Sequence, residues 1–192
     1  NDIAIYACHT NLDNVQAGVN AKIAEKLGLI DTHILAPKSK IIKKLSVYVP
    51  VNQVDKVQSA LFRAGAGRIG NYDEASFNIA GTGTFRANEN ANPHVGEIGK
   101  RHYEAETKIE VIFPFDIQRK VVATMLKSHP YEEVAYDIVT IDNQHSGIGS
   151  GMIGNLATPM EEIPFLKYLK ETMQTDCVRY TKLLNNPVKR VA

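Results

Sequence analysis

Hydrophobic and polar positions along this chain follow two periods that trade places several times. Residues 3–8 are apolar at nearly every position, the pattern of a parallel strand buried on both faces. Residues 9–14 read as a loop. Val19, Ile23 and Leu27 then recur at helical spacing and predict a helix that ends near Gly28. The stretch THILAPK predicts a short strand closed by Pro37.

The pattern restarts in the KKLSVYVP stretch, where Leu45, Val47 and Val49 alternate and Pro50 ends the strand. Asn52 is a good N-cap. Val54, Val57, Leu61 and Ala64 form one helical stripe that stops at Gly65 and Gly67. A strand broken by Gly81 and Gly83 follows, and the polar residues 86–106 read as a long loop. Ile109, Val111 and Phe113 alternate as a strand. A helix opening at Asp116 sets Ile117, Val121, Thr124 and Met125 on one stripe, and AYDIVTIDN closes the series as a strand. The order β-α-β-β-α-β is the ferredoxin-like plan, an antiparallel four-stranded sheet with two helices on one face. Its other face is left bare, which predicts self-association.

From residue 144 the pattern changes again. HSGIGSGMIGN reads as a glycine-rich loop. Thr158, Pro159 and Glu161 resemble a capping box before a helix, although Pro164 moves the helix start toward Glu162. CVRYTK and VKRVA read as short strands. The fold class is therefore mixed, α/β and α+β. A partial α/β domain, residues 1–42 and 144–192, is interrupted by a complete ferredoxin-like domain, residues 43–143. Strand-like patterns run up to both termini, so the chain reads as a piece of a longer one.

Composition narrows the function classes. The chain has 192 residues, 44% hydrophobic and 22% charged, and a net charge of +1. That balance argues against nucleic acid and membrane surfaces as partners. No apolar run approaches the ~18 residues that span a bilayer. Cys8 and Cys177 form no CxxC pair and no disulfide framework, so they read as buried structural thiols in a reducing cytoplasm.

Four stretches carry candidate chemistry. His9 and Asp13 follow the first apolar run, where α/β folds gather ligands, and their donor atoms suit zinc, iron or manganese. A solvated carboxylate beside a hydrogen-bonded histidine has the same spacing. Gly149, Gly151 and Gly154 spell GxGxxG, but no dinucleotide-type strand precedes them and no helix follows at once, so tight turns explain them better. The third stretch runs over residues 68–99. It holds Arg68, Asn71, Tyr72, Gly81, Gly83, Phe85, Asn92, Pro93 and Gly96, with Arg86 adding charge. Its backbone NH groups could cradle an anion, or it could pack on a neighbouring subunit. The fourth is SHPYEEVAYD, with His129, Tyr131, Glu132, Glu133 and Asp137. It reads either as acid/base machinery or as capping after the second helix.

Taken together, YACHTNLDNVQAGVN, GAGRIGNYDEASFNIAGTGTF, NPHVGEIG, HPYEEVAYD, GIGSGMIGNL and VKRVA resemble the Nif-three-like proteins. These are also known as GTP cyclohydrolase I type 2 homologues. The likeness is to the long bacterial form, whose metal-binding domain is interrupted by a domain similar to PII and CutA proteins. The resemblance implies a pair of divalent metal ions in the full-length parent. Of its ligands only Asp13, in the HTNLD-type motif, would lie in this chain, with His9 as a neighbour or support. This piece alone would hold no metal stoichiometrically. The resemblance also implies a ring-shaped homo-oligomer, trimer or hexamer in the parent, with the inserted domain serving assembly or sensing a small-molecule effector. A metal-dependent hydrolase acting on a nucleotide-like substrate is the alternative for the parent.

Overall fold

The helical stripe Val57, Ala60, Leu61, Ala64 and the strand alternation Leu45, Val47, Val49 converge on one hydrophobic core. The computed structural model describes residues 2–192. In chain order its elements are α1 (Val19–Lys26), β1 (Leu29–Pro37), β2 (Ile42–Pro50), α2 (Val54–Ala64), β3 (Phe77–Arg86) and β4 (Arg101–Pro114). There follow α3 (Gln118–Ser128), β5 (Tyr136–Ile141), β6 (Gly149–Met160), α4 (Glu162–Met173) and β7 (Val188–Val191). The architecture is mixed α and β with two antiparallel sheets. The chain divides into two units, Asn1–Lys38 with Gln144–Ala192, and Ser39–Asn143.

In the 39–143 unit the sheet order is β3-β4-β2-β5, and every pairing is antiparallel. Val47 stands opposite Ile109 and Leu45 opposite Val111. Because side chains alternate across a strand, this register turns both apolar sets to the same face. There they meet Val57 and Leu61 of α2 and Val121 and Met125 of α3, all fully buried. α2 ends at Gly65, whose φ of 106° is left-handed and whose N–H closes the helix on Leu61 and Phe62. The N-cap is Gln53 rather than Asn52, because residues 51–53 form a 3₁₀ turn first.

The opposite face of that sheet carries polar side chains on β2 and β4 and exposed Phe77 and Ile79 on β3. Glu110 accepts from Lys108 (2.7 Å), Ser46 (3.2 Å) and Lys44 (3.3 Å). The hydrogen bond from Lys108 is the main reason its carboxyl titrates below the usual range. β3 is unbroken, since Gly81 and Gly83 both sit in paired backbone. The predicted loop over 86–106 shrinks to residues 87–100, because Arg101 starts β4 and the hairpin pairs through Arg86 opposite Arg101.

The other unit departs further from expectation. Residues 3–8 form no strand: they have no ladder partner among the described residues, and Ile3, Ile5 and Tyr6 are 77%, 91% and 84% exposed. An apolar run becomes a strand only where a neighbour takes its backbone hydrogen bonds. The sheet of this unit is antiparallel, in the order β1-β6-β7. α1 falls where the helix is predicted but is shorter, Val19–Lys26, and it buries Ala24 and, at its C-cap, Leu27, while Val19 and Ile23 remain exposed. The supposed glycine-rich loop is mostly β6. A side chain at Gly149 would collide with Ala36 O, so glycine permits the close approach of β1. The GxGxxG letters therefore lie along a strand.

Thr158 and Pro159 belong to β6, and α4 starts at Glu162 without a side-chain cap. Pro164 is tolerated because the first-turn N–H groups lack intrahelical partners anyway. The Glu162 carboxylate instead accepts from Leu184 N and Asn185 N, both at 2.9 Å. CVRYTK is irregular, while β7 pairs with β6. Neither thiol is buried: Cys8 is half-buried and Cys177 exposed. No helix among the described residues is long and apolar enough to cross a membrane.

Leu61 is fully buried and Leu126 is 44% exposed. Leu61→Ala should cost ~2–5 kcal/mol in urea unfolding, and Leu126→Ala within about 0.5 kcal/mol of wild type.

Candidate functional site

β3 and β4 run on past Pro50, the last residue of β2, which pairs with Glu106. The overhanging hairpin carries Gly81, Gly83 and Phe85 on the sheet face away from α2 and α3. These three are paired with Glu106, Glu104 and His102. Side chains from the β3–β4 connection and from the α3–β5 connection stand along this face. Together they line a half-open cavity of about 970 Å³, a size suited to a small molecule.

Two acidic and aromatic groups define its interior. Glu106 is only 9% exposed. A side chain at Gly83 would overlap the Glu106 carboxylate, so that group occupies the space a β-carbon would need. The Tyr131 hydroxyl is buried and has no hydrogen-bond partner among the described residues. Burial, and next Glu106 beside it, raise the Tyr131 phenol far above its ordinary range, so it stays protonated. The Tyr131 ring lies 6.3 Å from Phe85, 6.2 Å from His94 and 5.1 Å from His129, centroid to centroid.

His129 itself is structural. Its Nε2–H donates to Tyr48 O at 2.9 Å, and its Nδ1 accepts from Tyr131 N at 3.1 Å. Both ring nitrogens are thereby used, which fixes a neutral tautomer with no lone pair left for a metal. Burial, its largest influence, holds its pKa below the ordinary value of 6.5. Neither Glu132 nor Glu133 orients the ring. Glu132 accepts from Asn92 N at 2.8 Å, which clips the two loops over the cavity together.

Of the residues singled out in the sequence, Gly81, Gly83, Phe85, Arg86, Pro93, Tyr131, Glu132 and Glu133 line this cavity. Asn92 acts through its backbone, and Gly96 packs against the His102 ring. Arg68, Asn71 and Tyr72 lie on a separate exposed turn closed by an Ile69–Tyr72 bridge. Glu106 and Tyr48 were missed. Glu106 fell inside a stretch read as loop. The signal available was the alternation of His102, Glu104 and Glu106 leading into an apolar strand.

Asp13 and His9 lie in the other unit. Asp13 is half-buried in the 3₁₀ turn Asn11–Asn14, and Asn20 Nδ2 donates to its backbone carbonyl at 2.8 Å. His9 is exposed. Among the described residues no three His, Cys, Asp or Glu side chains gather closely enough to hold a metal. One carboxylate does not make a metal site, so these residues alone do not fit one, and no chemical step is assigned to a metal here.

The buried imidazole makes a pH prediction. The folded state keeps His129 neutral, whereas the unfolded chain takes up a proton as pH falls below about 6.5. Its contribution is complete above that value and is lost on acidification. Wild type should lose up to ~1.4 kcal/mol per pH unit from this group as pH falls below 6.5, measured by urea unfolding. His129→Gln should lack that slope.

The Duf34/NIF3 (NGG1p interacting factor 3) family matches residues 1–192. The chain is 44% identical over 192 residues to the GTP cyclohydrolase 1 type 2 homolog of Halalkalibacterium halodurans, covering 100% of this chain and 52% of that protein. It is 41% identical to the protein of the same name from Bacillus subtilis, with the same coverage. The chain thus spans about half the length of these relatives. Among solved structures, the Bacillus cereus protein related to NIF3 superposes with a TM-score of 0.82 at 42% identity, over 98% of this chain and 50% of that one. Staphylococcus aureus SA1388 shares the fold at a TM-score of 0.61 and 23% identity, over 96% and 46%. The chain belongs to the Duf34/NIF3 family.

Proposed function

We propose that this chain is the central part of a metal-binding protein of the GTP cyclohydrolase 1 type 2-like kind, in which residues 43–143 form a complete ferredoxin-like insert, similar to PII and CutA domains, that senses a small effector or serves assembly. The observation that carries this reading is the cavity over Glu106 and Tyr131, which lies wholly within the 39–143 unit. A structural spacer needs no such cavity. The element order β2-α2-β3-β4-α3-β5 and the sheet order β3-β4-β2-β5 support the ferredoxin-like assignment.

Chain geometry supports insertion. His145 N donates to Lys38 O at 2.9 Å, and Lys38 N to Ile148 O at 2.9 Å, so the two segments of the outer unit meet where the insert leaves and returns. Within the insert, Ile42 pairs directly with Ile141. Units whose ends lie together are tolerated as insertions. Self-association as a homo-oligomer, trimer or hexamer in the parent, draws support from exposed Phe77 (67%) and Ile79 (43%) on β3, an edge strand.

Asp13 supplies one carboxylate toward divalent metal ions, zinc, iron or manganese, in the full-length protein. What supports this is the half-buried turn it occupies in the HTNLD stretch and a carboxylate that makes no hydrogen bond or ion pair among the described residues. A metal-dependent hydrolase acting on a nucleotide-like substrate is the second reading, favoured by the names of the relatives.

Asp13→Ala in the full-length protein should weaken metal binding by roughly tenfold or more, read by elemental analysis after dialysis, with sedimentation unchanged. Removing residues 43–143 should do the reverse. If that deletion leaves oligomer size, metal content and activity as they were, the insert has neither proposed role.

A further inference from the structure

We infer that the cavity of the 39–143 unit binds a small organic cation with a flat apolar body, its N–H groups held by the Glu106 carboxylate. The inference rests on the reading of this unit as an effector domain and names the effector's chemistry.

The charge of the cavity wall favours a cation. Glu106, Glu132 and Glu133 all line the cavity, and Glu106 is buried within it. Two cationic side chains also line it. Lys108 is committed to Glu110 at 2.7 Å, and Arg86 is exposed at the rim. No donor among the described residues makes a hydrogen bond of good geometry to the Glu106 carboxylate, although the Tyr131 hydroxyl lies near it. The Glu106 oxygens are not sealed from the cavity, since Tyr131 OH alone is a buried side-chain polar atom without a partner among the described residues, so a cationic ligand with N–H donors would find an unpaired carboxylate acceptor facing it.

The aromatic wall favours a flat ligand. Tyr131, Phe85 and His94 place their rings about the same space. Ring faces favour a flat cation over an inorganic one. A divalent metal is disfavoured by the lack of any cluster of three ligating side chains among the described residues. A phosphate-like anion would meet the carboxylates.

Two glycines shape the gap. Gly83 leaves room for the Glu106 carboxylate. At Gly81, by contrast, an added β-carbon would meet no atom within 4 Å. One glycine seats the acid, and the other keeps space open beside it. Gly81 also pairs directly with Glu106 across the ladder, so a larger side chain there would fill the cavity without disturbing the backbone.

The test is titration calorimetry of the whole 192-residue chain with tryptamine and with indole-3-acetate, which share a ring system and differ in charge. Tryptamine should bind once per chain and indole-3-acetate should not. Glu106→Gln should weaken tryptamine by roughly tenfold or more, and Gly81→Leu should abolish binding while the circular dichroism spectrum and thermal midpoint stay as in wild type. Equal tryptamine affinity in wild type and Glu106→Gln overturns the inference, as does tighter binding of indole-3-acetate. Absence of tryptamine binding also overturns it. If Gly81→Leu then changes the sedimentation coefficient, the cavity is an assembly contact and the broader reading of the insert survives. If tryptamine binds as expected but leaves metal content and oligomer size of the full-length protein unchanged, the ligand site stands and the effector role does not.

Discussion

The register of β2 against β4 is the constraint on which the 39–143 unit depends. With Val47 opposite Ile109, the apolar residues of both strands share one face, and the polar residues Ser46, Lys44, Lys108 and Glu110 share the other. A slip of β2 by one residue would turn Leu45, Val47 and Val49 toward water and push Lys44 and Ser46 into the core. The same register fixes where β2 stops, at Pro50 opposite Glu106. Beyond that point β3 and β4 continue alone, and their free surface becomes the cavity floor. Core and candidate site therefore follow from one alignment.

Much of this unit could be read from the chain because its helices and strands carry clean periods. The stripe Val54, Val57, Leu61, Ala64 marks α2, and Val121 with Met125 marks the buried face of α3. The outer unit was harder for a physical reason. β6 contains three glycines, and a glycine contributes no side chain to an alternating pattern. Its strand character resides in backbone pairing with β1, which is non-local. The apolar run at residues 3–8 fails in the opposite sense: the pattern is present but the partner strand is absent among the described residues.

The candidate site was legible only in pieces. Gly83 and Phe85 on β3 and Glu132 after α3 stood out for unrelated reasons, one stretch for its glycines and the other for its acids. Nothing in a linear pattern joins residues almost fifty positions apart. The hydrogen bond from Asn92 N to Glu132 Oε1 makes that join. Glu106 escaped notice because an isolated acid among Glu104, Thr107 and Lys108 looks like ordinary surface. Its meaning comes from Gly83 across the ladder, whose missing side chain leaves the acid its place. His129 was conspicuous and proved to be a brace, since its two nitrogens tie β2 to the start of the loop over the cavity.

The contact between Lys38 and His145 has a consequence for the order of folding. The β1–β6 pairing must bring together segments separated by the roughly 100 residues of the other unit. Closing a disordered loop of that length costs about 2 kcal/mol more than closing one of about 10 residues, by the logarithmic dependence of loop entropy on length. Once β2 and β5 pair, with Ile42 beside Ile141, the long intervening stretch spans no more than neighbouring strands do. The outer sheet then closes as if its two halves were joined by a short turn. A chain that emerges from the ribosome with the 39–143 unit already folded begins the pairing of β1 and β6 with most of that entropy already lost.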